Sequence, residues 1–101
     1  MADKAQELQQ LIVLSRAILN KAQEKLWDDV IALEVERREL ISLFFSAPVR
    51  HEDAEAVASA IRLILSIDEQ VVELGAVRRL DILQLLQEMD QGKKAVKAYT
   101  S

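Results

Sequence analysis

Residues 24–45, EKLWDDVIALEVERRELISLFF, decide how this chain folds. An isolated tryptophan meets two acids, an apolar ladder follows with charges set into it, and the stretch ends on two phenylalanines. Upstream, Leu8, Leu11, Ile12, Ile18, Leu19, Ala22 and Leu26 recur at helical spacing, with Gln9, Gln10, Arg16, Asn20, Lys21 and Gln23 on the opposite side. The stripe continues in phase through Val30, Leu33, Leu40 and Phe44. No glycine or proline interrupts residues 1–46, so local propensity permits one helix of about 40 residues or two helices broken near Glu24–Trp27.

Working outward, "SAPVRHED" (46–53) is the clear connection. It holds the only proline, and the residue before Pro48 is pushed out of helical geometry. Glu52, Asp53 and Glu55 then cluster where the positive end of a helix dipole falls. The following stripe, Val57, Ile61, Ile64, Leu65, Val71, Val72, Leu74, Ile82, Leu85, Leu86 and Met89, predicts a helix over about 52–91. Gly75 sits in its middle at a cost of about 1 kcal/mol relative to Ala, which points to close packing or to the approach of a partner. Gly92 is the expected stop, leaving 92–101 as a short cationic helix or tail.

The composition agrees. Of 101 residues half are hydrophobic and 30% charged, while glycine and proline together number three, too few for the turns of an all-β fold. The expectation is a single all-α domain over 1–101: an antiparallel helical hairpin or bundle with helices at about 5–24, 27–45 and 52–91, plus the short C-terminal helix or tail. Two long segments paired only with each other leave apolar flanks uncovered. Either the first segment folds back on itself, or two chains pair as a homodimer.

Several function classes drop out. The chain has no cysteine, which excludes disulfides, thiolate zinc sites and cysteine nucleophiles. His51 stands alone, and Glu52, Asp53 and Glu55 lack calcium-loop spacing. No phosphate loop or nucleophile elbow is present, so no cofactor is expected. A formal charge of −4 and a pI near 5.0 argue against nucleic acid. The N-terminus lacks a signal pattern and "LIVL" (11–14) is too short to insert in a membrane, so a cytoplasmic protein is expected.

Charges fall on the inward stripe: Glu34, Arg37 and Arg38 in the first half, Asp68, Arg78 and Arg79 in the second. In a hairpin turning at 46–53, Arg37 faces the stretch 60–68, and Asp68 can reach Arg37 or Arg38. They read either as partly buried ion pairs that set register or as the polar floor of a binding groove. Trp27, Phe44, Phe45 and Met89 are the large apolar candidates for recognition. Adjacent Phe44 and Phe45 cannot both enter one seam, so one of them is expected near the surface.

"LSRAILNKAQEKLWDDVIALEVERRELI" (14–41) resembles the first half of FliT-type flagellar export chaperones. "ILSIDEQVVELGAVRRLDILQLLQEMDQGKKAVKAY" (64–99) resembles their second half. The resemblance implies a helical chaperone without catalysis that holds the C-terminal region of the filament-cap protein FliD and delivers it to the type III export gate and ATPase components. In some bacteria it also implies restraint of the regulator FlhDC. Carried over by position, the docking surface is Val30, Leu33, Leu40, Ile41, Phe44, Phe45, Ile61, Ile64 and Leu65. The restraining tail falls on Lys93, Lys94, Lys97 and Tyr99. The family's usual small or glycine-containing turn after the first helix is missing from "AQEKLW". Two rivals stand beside this reading. One is a self-associating helical hairpin. The other is an all-α chorismate mutase-like enzyme, which "IRLILSIDEQVVELGAVRRLDIL" (61–83) is similar to, with Arg62, Arg78, Arg79 and Lys93 clamping a dicarboxylate.

Overall fold

A computed structural model describes residues 4–100, with side chains described through Gln91. Among the described residues there are three helices, α1 (Lys4–Gln23), α2 (Trp27–Phe44) and α3 (Ala54–Thr100), with a 3-10 turn at His51–Asp53 leading into α3. No strand occurs among the described residues.

The first segment does break, and a backbone hydrogen-bond pattern does the breaking. Leu26 N–H donates to Lys21 C=O at 2.9 Å and Lys25 N–H to Ala22 C=O at 3.1 Å, with Lys25 at φ 64°. This pair of bonds closes a helix with one left-handed residue, a place usually taken by glycine. Lysine occupies it here at a cost on the order of 1 kcal/mol, which explains why no glycine or proline announces the turn.

After the turn α2 folds back along α1. Lys4 Nζ lies 4.2 Å from the Phe44 ring centre, Arg37 donates to Ser15, and Lys21 pairs with Asp29, so numbering falls along α2 as it rises along α1. Helix α3 runs with α1. Leu8 and Leu11 join Phe44, Val57 and Ala60 in one buried cluster; Ile18 and Ala22 join Val30 and Val71 in a second. Helix α1 therefore supplies the centre, packing against both others. No Cα of α2 comes within 8 Å of α3 among the described residues. The pairing differs from a hairpin in which α2 and α3 touch directly, because α1 is wedged behind them.

Helix α3 does not stop at Gly92. It continues to Thr100, since a single glycine costs about 1 kcal/mol and the flanking Gln, Lys and Ala residues are good helix formers. There is thus no separate C-terminal helix. At 1.5 Å per residue α3 is about 70 Å long, and the molecule measures 73 × 21 × 20 Å. α1 and α2, with 20 and 18 residues, flank only part of it.

Candidate functional site: a groove between the second and third helices

Because α1 holds α2 and α3 apart, a groove opens between them, with α1 as its floor at one end. That end is apolar: Ile41, Phe44 and Phe45 from α2 and its C-terminal cap face Ile61, Ile64 and Leu65 of α3, over Leu8 and Leu11, around a space of about 300 Å³. A second space of about 310 Å³ follows, beside Glu34, Arg38 and Val72. A third, of about 500 Å³, lies between Trp27, Ile31 and Glu34 of α2 and Gly75, Arg78, Arg79 and Ile82 of α3.

A polar crossbar separates the apolar end from the rest. Arg37 reaches across the groove and grips Asp68 with two hydrogen bonds, Nη1 to Oδ1 at 2.8 Å and Nη2 to Oδ2 at 3.2 Å. Arg37 Nη1 also donates to Ser15 Oγ at 3.0 Å, and the fully buried Ser15 donates to Leu11 C=O at 2.8 Å. Planar guanidinium against carboxylate in this fork is the strongest geometry such a pair has. It joins two helices whose backbones do not meet. Of the inward charges, Arg37 and Asp68 form the expected partly buried ion pair, which also borders the groove.

Among the residues expected at the docking surface, Ile41, Phe44, Phe45, Ile61, Ile64 and Leu65 come together around the apolar end. Phe44, however, is 1% exposed and belongs to the core, whereas Phe45 is 50% exposed. The two rings meet edge to face at 4.9 Å. Val30 is buried yet borders the Trp27 end. Leu33 and Leu40 pack against the core clusters instead. The residues expected in a restraining tail, Lys93, Lys94, Lys97 and Tyr99, have side chains outside the described residues.

Of the residues expected at the docking surface, Val30 alone lines the Trp27 end. The sequence marked it through Trp27, Val30, Gly75, Arg78 and Arg79, which the fold brings around one space. A Cβ built at Gly75 would meet nothing within 4 Å, so no packing inside this chain requires the glycine. Beside it the Arg78 guanidinium lies 5.2 Å from the Trp27 ring centre, tying α3 to the start of α2 by a cation–π contact. Past this point Ile82, Leu85, Leu86 and Met89 continue at i, i+3, i+4 and i+7, all more than 40% exposed.

The arginines do not converge as an anion-clamping enzyme would need. Arg62 is exposed and pairs with Glu55 and Ser59 on its own helix. It lies 16 residues before Arg78 on α3, or roughly 24 Å along the axis, too far to share one small dicarboxylate.

What remains is a groove with apolar walls and charged edges, crossed once by the Arg37–Asp68 pair. The family model for the flagellar protein FliT matches residues 5–101. The chain belongs to the FliT family of flagellar proteins. No curated protein and no solved structure matches it. Within this FliT-family chain no helix among the described residues is long and apolar enough to cross a membrane. A flagellar, protein-binding role is what the family carries.

Proposed function

We propose that this protein is a cytoplasmic flagellar type III export chaperone, and that its α2–α3 groove holds the C-terminal segment of the filament-cap protein FliD as a helix until export. The observation that carries the reading is the groove itself. An amphipathic helix laid between two helices anchors through side chains at i, i+3, i+4 and i+7, and Phe45, Ile61 and Leu65 stand exposed at the apolar end to receive them. Masking an aggregation-prone apolar face needs area and reversibility and no reactive group.

Calorimetric titration with the last ~40 residues of the cap protein from the same organism tests this, since a helix in the groove is the binding mode invoked. Micromolar or tighter binding, weakened at least five-fold by Phe45→Ala, is the expected result, a loss of about 1 kcal/mol. Absence of binding by a soluble cap segment refutes it.

A further inference from the structure

The Trp27 end of the groove has a charge of its own. The lining from Glu34 to Arg79 contains Arg37, Arg38, Arg78 and Arg79 against the carboxylates of Glu34 and Asp68, an excess of two positive charges. The chain as a whole carries −4. Asp68 is already committed to Arg37, and neither Arg38 nor Arg79 has an ion pair among the described residues. Beside Arg78 and Arg79 lies Gly75, where a Cβ would meet no atom of the chain within 4 Å. An acidic protein that gathers unpaired arginines along one groove, and keeps a glycine where a larger residue would fit, presents a surface of definite chemistry.

We infer that the groove selects an acidic amphipathic helix: apolar where it meets Phe45 and Leu65, and carrying carboxylates where it passes Arg38, Arg78 and Arg79. The groove runs along α3 from Ile61 to Leu83, a span of 22 residues or about 33 Å, so the bound helix is about six turns long. A large side chain of the partner enters beside Gly75 against Trp27. The net negative charge of the chain does not cancel this preference, because charges more than about 8 Å away are screened at physiological salt, whereas the arginines border the groove itself. The inference rests on the chaperone reading only for where the helix comes from. The chemistry of the site stands on the groove.

Two synthetic 22-residue helical peptides test it. They share one apolar face and differ in bearing Glu or Lys at the flanking positions. Titrated into the full chain, the Glu peptide is expected to bind on the order of ten-fold more tightly, summed over about three exposed charge pairs. The advantage shrinks at high salt and reverses in the Arg78→Glu/Arg79→Glu double variant. Gly75→Leu, which extends a side chain into the space between Trp27 and Ile82, weakens the Glu peptide while far-UV circular dichroism shows the helices retained. Equal affinities, tighter binding of the Lys peptide, or no binding of either overturns the inference. Run beside them, the cap-protein segment separates the two readings. If it binds while the designed peptides show no charge preference, the chaperone reading stands and the acidic preference falls. If the Glu peptide is selected and the cap segment does not bind, the groove chemistry stands and its assigned partner falls.

Discussion

Removing the Asp68 carboxylate isolates the crossbar that joins α2 to α3. Arg37 is only 14% exposed in its side chain and Asp68 33%. Breaking a fully buried pair from one side costs about 3–5 kcal/mol, because the remaining charge is left without a partner. A third of Asp68 already meets water, so solvent can enter beside Arg37 when the carboxylate goes, and about 2 kcal/mol is the expected cost of Asp68→Ala. Arg37→Ala leaves the more exposed partner behind, so its cost is smaller on the charge side, though the loss of its packed stem adds to it. The double variant Arg37→Met/Asp68→Leu removes both charges and should lie well within the sum of its parts, with a coupling of about 1–2 kcal/mol. Urea unfolding followed by far-UV circular dichroism measures this; with a slope of about 1–2 kcal/mol per M, Asp68→Ala lowers the midpoint by at least about 1 M. A change under about 0.5 kcal/mol for Asp68→Ala, or strict additivity in the double variant, would refute the reasoning and reduce the crossbar to a surface ion pair.

The other outcomes follow from local geometry. Lys25→Gly should stabilise by about 0.5–1 kcal/mol, since Lys25 sits at φ 64°, whereas Lys25→Val should destabilise, both read as shifts in thermal midpoint. Gly75→Ala should raise stability by about 1 kcal/mol in the same assay, because the added methyl meets no atom and improves helix propensity. Phe44→Ala should cost about 3–5 kcal/mol and Phe45→Ala under about 1 kcal/mol in urea titration, following their burial in the core and at the surface. Ile18→Ala, at 0% exposure between α1 and its neighbours, should cost about 2–5 kcal/mol by the same measurement.

The sequence by itself determined that this chain is all helix, because the 3.6-residue recurrence of Leu, Ile and Val runs through it with three glycines and prolines to interrupt it. It also put Arg37 and Arg38 within reach of Asp68, since a turn at 46–53 limits which residues face each other; packing chose Arg37. It showed too that Phe44 and Phe45 could not share one seam. Which of the two lies inside was decided by tertiary packing, as α1 closes over Phe44 and leaves Phe45 in solvent. The break expected near Glu24–Trp27 is present, but local propensity left one continuous helix equally open, because its left-handed residue is a lysine held by two backbone bonds that composition does not reveal. Gly92, by contrast, looked like a stop and is not one, because the glycine itself does not take the left-handed conformation that closes a helix. The groove belongs wholly to the tertiary structure. It exists because α1 packs against both of the other helices and keeps their backbones apart, and periodicity along one helix carries no record of how far away the next one lies.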